Sequence, residues 1–201
     1  MKLTRIMFGA ALMLASSWCF AGATEDLLAR SRALKTMSAD FHEVITDEDG
    51  LELETYDGRI IIETAAKSFR LDTAEPEANA VVCNGKELYS YDPSVAQVTI
   101  LSFDKIVQNS PFWLIIDPSP KVLEKFKITA SGPDSFNIEA RDTAVVYNVS
   151  FDKQGLASIG YTDKNKQTVK YTFEKRDFNY KASSRDFEFT VPEGVTVDDQ
   201  R

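Results

Sequence analysis

The second half of the chain alternates apolar and polar residues with a period of two. Phe126, Ile128 and Ala130 are followed by Phe136, Ile138 and Ala140, then by Val145, Tyr147, Val149 and Phe151. Val169, Tyr171 and Phe173 continue the series, and Phe187 with Phe189 close it. Short turn sequences separate the runs, among them Gly132-Pro133-Asp134, Lys153-Gln154-Gly155 and Asp163-Lys164-Asn165. A period of two with short turns predicts antiparallel strands that keep one face wet. The first half predicts further strands over 41–45, 51–55 and 59–64, divided by Asp47-Glu48-Asp49-Gly50 and by Asp57-Gly58, both of turn composition. Strands at 68–72, 80–83, 88–91 and 97–103 follow, with Asn84-Gly85 as a hairpin signal between the second and third of these. About ten strands that must all cover one apolar face curl rather than lie flat. The pattern therefore predicts a mainly β (α+β) chain, a curved antiparallel sheet forming a barrel or partial barrel, with small helices on its concave side.

Short helices supply that cover, one near the N-terminus and a helical stretch over 104–123 that Ser110-Pro111 divides. Thr24, then Glu25 and Asp26, open an apolar pattern through Leu27, Leu28, Ala33, Leu34 and Met37, with Arg30 and Lys35 toward its end. A polar cap, early acids and later bases predict an amphipathic helix. Later, Ser110 as N-cap and Pro111 at the first helical position start a short segment, Phe112-Trp113-Leu114-Ile115-Ile116, which Asp117-Pro118-Ser119-Pro120 stops. Such a run of apolar side chains on so short an element needs a sheet, or a guest, to cover it.

Composition then narrows the function. Lys2 and Arg5, an apolar stretch over 6–15 and Cys19-Phe20-Ala21 predict a secretory signal cleaved after Ala21. Trp18 before Cys19 is not the small residue that a lipidated cysteine requires. Removing 1–21 takes away two basic and no acidic residues, so the net charge moves from −8 to −10 over a single domain at 22–201. An acidic surface excludes nucleic acid and anionic membrane as natural partners. Only Cys83 remains, so no internal disulfide is available. His42 is the one histidine and Gly-x-Ser-x-Gly is absent, which argues against a hydrolase or a metal site. Asp47-Glu48-Asp49-Gly50 lacks the alternating ligands of a calcium loop. No catalytic residue, metal or cofactor is expected. A monomer is expected too, because neither a coiled coil nor a long apolar edge is evident.

Several segments together resemble the LolA family of periplasmic lipoprotein carriers. They are Phe69-Arg70-Leu71-Asp72, Asn84-Gly85-Lys86-Glu87-Leu88-Tyr89-Ser90-Tyr91-Asp92-Pro93, Asn109-Ser110-Pro111-Phe112 with Leu114-Ile115, and Phe187-Glu188-Phe189-Thr190 running on to the C-terminus. The resemblance implies an incomplete antiparallel barrel with a lid of short helices over an apolar cavity. It also implies a periplasmic chaperone that accepts acylated lipoproteins from an inner-membrane ABC transporter and delivers them to the outer-membrane receptor LolB. A carrier or sensor of another lipid or amphiphile is the alternative within the same fold. Phe69 falls on the family's cavity-mouth strand, Ile115 on a lid position, Leu71 where tryptophan is usual, and Tyr89 and Tyr91 on a strand that carries Trp and Tyr. With Leu27, Leu34, Leu88, Phe112, Trp113 and Leu114 these are the candidate acyl-chain wall. The family's lid is latched by an arginine followed by proline, but here the stretch reads Thr64-Ala65-Ala66-Lys67, and Ser31 stands where leucine is frequent. Lys67 is the candidate latch, and as a point charge rather than a planar fork it predicts a more loosely held lid.

Overall fold

The structure, a computed structural model, describes residues 18–103, 112–119, 123–141 and 145–201. Most of the expected leader and the Asn109-Ser110-Pro111 motif lie outside the described residues, as does the side chain of Phe112. Helix α1 (Trp18–Ala33) is followed by strands β1 (Thr36–Thr46), β2 (Glu52–Glu63), β3 (Ser68–Glu75), β4 (Asn79–Asn84), β5 (Glu87–Asp92) and β6 (Gln97–Ser102). Helix α2 (Phe112–Ile116) precedes β7 (Phe126–Gly132), β8 (Ser135–Ala140), β9 (Val146–Asp152), β10 (Gly155–Thr162), β11 (Thr168–Asp177) and β12 (Thr196–Asp199), with one 3-10 turn at Ser184–Phe187. The twelve strands among the described residues form one sheet in the order β12-β6-β5-β4-β3-β2-β1-β11-β10-β9-β8-β7. Its two ends, β12 and β7, are not paired with each other, so the sheet is an incomplete barrel.

Pleating decides what lies inside. Met37, Ala39 and Phe41 on β1 face Ile62, Ile60 and Gly58 on β2, and the inward set continues through Phe69, Cys83 and Leu88 on β3 to β5. From the other half come Phe126, Ile128, Phe136, Ile138, Val149, Phe151, Ile159 and Phe173, all in the same buried cluster. Both helices contribute to that cluster, through Leu27 and through Trp113, Leu114, Ile115 and Ile116.

The outer face carries a second, smaller apolar layer. Val82 and Val98 are fully buried there, and Phe187 in the 3-10 turn packs over β3 and β4. Arg70 Nη1 donates to the Glu188 carbonyl (3.3 Å), tying this C-terminal arm to the sheet. The arm ends in β12, which runs parallel to β6 with Val197 opposite Val98, the one parallel pair in the sheet.

The structure departs from the sequence expectations in four places. Asp57-Gly58 is no turn, because β2 runs straight through it. A Cβ at Gly58 would lie 2.5 Å from the Phe41 ring and 2.2 Å from the Asp72 carbonyl oxygen, so this glycine makes room for a cross-strand aromatic. Phe187 and Phe189 belong to the covering arm, not to a strand. The first helix begins upstream of Thr24, at Trp18, and ends at Ala33, which leaves Met37 in β1. Finally, β10 has the register shift of a bulge between Leu156 and Ser158, so Leu156 and Ile159 both turn inward and the two-residue rhythm is lost.

Candidate functional site: a lid over the inner face

At one end of the inner face the lid fills the barrel with its own side chains. Leu27 on α1 and Trp113, Leu114 and Ile115 on α2 are each at most 1% exposed. Leu34, just beyond α1, is buried beside them and keeps a helical hydrogen bond from its N–H to the Arg30 carbonyl (3.3 Å). The sheet offers Phe69, Cys83 and Leu88 as the floor. Trp113 is held edge-on by two rings, Phe103 at 4.7 Å and Phe69 at 6.0 Å between centroids. Edge-to-face pairs of this kind contribute about 0.5–1.5 kcal/mol each beyond area burial.

Among the described residues, two cations fasten the lid. Lys67 sits in the β2–β3 turn with φ of 52°, and its Nζ donates to Asp117 Oδ2 (2.8 Å) directly after α2. Its ammonium also lies 5.7 Å from the centre of the Phe103 ring. The hairpin glycine Gly85 makes this placement possible, since a Cβ there would sit 2.2 Å from the Ala66 carbonyl oxygen of the same turn. On α1, Arg30 donates to Asp134 (2.7 Å) in the β7–β8 turn and to Asp26 (3.1 Å), with its guanidinium 5.4 Å from the Phe151 ring centre. Arginine thus does fasten this lid, from the helix side. Nothing in the expected pattern of a sheet-borne arginine pointed to Arg30.

Beyond the lid the same face becomes polar. Along β3, Phe69 meets the lid, while Leu71 and Thr73 line a hollow of about 450 Å³ with Glu43, Tyr56, Val81 and Tyr171. That volume lies within the ~300–1,000 Å³ of small-ligand sites. Burial pushes the Glu43 carboxyl above the usual range, partly offset by the hydrogen bond from the Tyr171 hydroxyl. Burial likewise pushes the Tyr171 hydroxyl up. Under the lid, the buried Cys83 thiol is pushed up to about 11 by desolvation, and its Sγ–H reaches the Lys67 carbonyl at 3.7 Å.

Of the candidate wall residues, Phe69, Leu88, Leu27, Leu34, Trp113, Leu114 and Ile115 come together at the lid, and Leu71 lies in the hollow. Tyr89 and Tyr91 do not join them. Leu88 points inward, so its neighbour Tyr89 must point outward, and both tyrosines pack on Phe189 of the C-terminal arm, at 5.4 and 6.1 Å. Phe103 and Asp117 were not singled out by the sequence, because one ends a strand and the other stops a helix. His42 lies away from this site, exposed beside Asp57 at 2.9 Å. Among the described residues no group of three or more potential metal ligands is present.

Comparison with known proteins agrees with this architecture. The chain is 30% identical to an outer-membrane lipoprotein carrier protein of Aeromonas salmonicida, with 98% of each chain covered. It is 28% identical to the protein of the same name from Pseudoalteromonas translucida, over 90% of this chain and 89% of that one. In fold it is similar to a crystal structure of an uncharacterized conserved protein from Thermus thermophilus, with a TM-score of 0.52 at 12% identity, covering 90% of this chain and 99% of the other. Crystallised MucB shares the fold at a TM-score of 0.50 and 10% identity, over 88% of this chain and 66% of that one. The family model for the outer membrane lipoprotein carrier protein LolA matches residues 32–190, and the chain belongs to the LolA family.

Proposed function

We propose that this protein shields the acyl chains of lipoproteins while they cross the periplasm, after export and cleavage behind Ala21. It would take them from an inner-membrane ABC transporter and pass them to a receptor of the LolB kind. The observation that carries this reading is the self-filled lid. Trp113, Leu114, Ile115 and Ile116 are buried, yet they sit on a five-residue helix whose ion pair among the described residues is the one between Lys67 and Asp117. Uncovering four such side chains costs roughly 6–12 kcal/mol, at about 1.5–3 kcal/mol each. Burying one ~16-carbon acyl chain returns on the order of 12 kcal/mol, at about 0.8 kcal/mol per CH₂. The empty lid therefore stays shut, and a single chain is enough to offset its opening.

The direct test adds the purified 22–201 protein to spheroplasts that carry labelled lipoproteins. Release of soluble lipoprotein in a one-to-one complex supports the carrier. Retention on the membrane, beside a working control carrier, overturns it. A second reading, a carrier or sensor of another periplasmic amphiphile, is favoured by the hollow, where Glu43, Tyr56 and Tyr171 suit a headgroup better than hydrocarbon. Binding of that amphiphile without lipoprotein release would select it.

A further inference from the structure

Two buried polar atoms of the lid have no hydrogen-bond partner among the described residues: Trp113 Nε1 on α2 and Ser31 Oγ on α1. Their residues are 0% and 1% exposed, and the two helices pack against each other. A buried donor left unpaired is costly, and a wall meant only for hydrocarbon gains nothing from carrying one. An indole N–H can only donate, whereas a hydroxyl can donate or accept. The group that satisfies both, in a buried cluster that also holds Leu27, Leu34, Phe69 and Ile115, is a carbonyl oxygen attached to an alkyl chain. We propose that the loaded lid reads the ester or amide carbonyls of the acyl groups, with Trp113 Nε1–H and the Ser31 hydroxyl donating to them. The site then selects acyl esters and amides over plain hydrocarbon of equal length. The inference rests on the carrier reading and adds to it the chemistry recognised at the lid.

The test uses the 22–201 protein, in which Trp113 is the single tryptophan because Trp18 is removed with the leader. Binding is measured to a synthetic tri-acylated lipopeptide and to its counterpart with ether-linked chains. A diacyl phospholipid and its ether form separate the carbonyl from the lipopeptide as the recognised group. Wild type is expected to bind each ester form about tenfold more tightly than its ether partner. Trp113→Phe should cut that ratio to threefold or less whatever the change in absolute affinity, and Ser31→Ala should reduce it partway. Resonance Raman of the indole N–H mode should report a new hydrogen bond on loading with ester lipid only. Equal loss of ester and ether binding in Trp113→Phe, or an indole mode unmoved by ester lipid, overturns the proposal. Discrimination only within the lipopeptide pair overturns the carbonyl as the shared determinant. Failure of wild type to bind any of the four overturns the carrier reading itself and is told apart by that.

Discussion

Lys67 joins three things that the sequence kept separate: a turn, a lid and an aromatic cluster. Its ammonium bonds Asp117, which is 15% exposed, while Lys67 itself is 45% exposed. Pairs this accessible contribute about 0.5–1 kcal/mol. Lys67→Ala should therefore raise the open fraction of the lid two- to fivefold. Hydrogen exchange at the Asp117 amide, which donates to the Trp113 carbonyl at 2.6 Å, should quicken by that factor, and Lys67→Arg should restore it. An unchanged rate in the alanine variant would remove Lys67 as a latch. Glu43 gives a prediction with the opposite electrostatic sense. Burial raises its carboxyl above the unfolded value of 4.5. An acid raised in this way contributes fully to stability below its unfolded pKa, and the contribution is lost as pH rises through the folded value. Glu43→Gln, which stays neutral, should thus melt higher than wild type at about pH 7, with the gap closing near pH 4. A gap that widens on acidification would contradict the assignment.

The elements show which sequence signals survive folding. Strand identity was legible wherever alternation was unbroken, as in β7, β8, β9 and β11, because one inner face sets the period. It failed where a local contact overrode composition. Asp57-Gly58 has turn chemistry, but Phe41 on the neighbouring strand needs the space that only glycine leaves. Gly58→Ala should overpack this crossing, at about 1–3 kcal/mol. For a chain of this size that lowers Tm by roughly 2–12 °C, measured by thermal unfolding, and a variant as stable as wild type would deny the crowding. The same logic explains the mixed result for the site. Apolar runs pointed to the burial of Trp113 to Ile116, which had to be covered by something, and all four are buried. The tyrosines of β5 were misplaced because composition does not say which face of a strand a residue takes. Leu88, Tyr89 and Tyr91 cannot all look inward from one strand, and the arm that covers the tyrosines lies about a hundred residues further along the chain, at Phe189. Arg30 was invisible as a fastener for a similar reason, its partner Asp134 being distant in sequence.

At the scale of the molecule, the proposed loading exchanges one set of covers for another. The sheet is pinned from outside by the C-terminal arm. In the proposed carrier, the inner face surrenders Trp113, Leu114 and Ile115 to admit a guest. Cys83 lies where that exchange can be seen. It is buried in the floor beneath the lid, pairs with Phe69 and Leu88 on the neighbouring strands, and reaches the carbonyl of Lys67. With its thiol pushed up to about 11, only on the order of one molecule in a thousand is thiolate near pH 8, and burial slows attack further. In the 22–201 protein it is the sole cysteine, so alkylation reads one position. The empty carrier should react far more slowly than the unfolded chain. Lys67→Ala should speed alkylation by the same two- to fivefold expected in exchange, because both report one opening. Loading separates two modes of action. If acyl chains simply displace the lid and lie over Cys83, labelling should fall below the empty level, because hydrocarbon replaces indole as cover. If the lid swings away and leaves the floor wet, labelling should rise severalfold. The self-filled packing favours the first outcome, since Phe69, Cys83 and Leu88 share one buried cluster with Trp113, whose place the proposed guest takes. A loaded carrier that labels faster than the empty one would mean that cargo binds elsewhere on the inner face, with the hollow around Leu71 and Tyr171 the place to look.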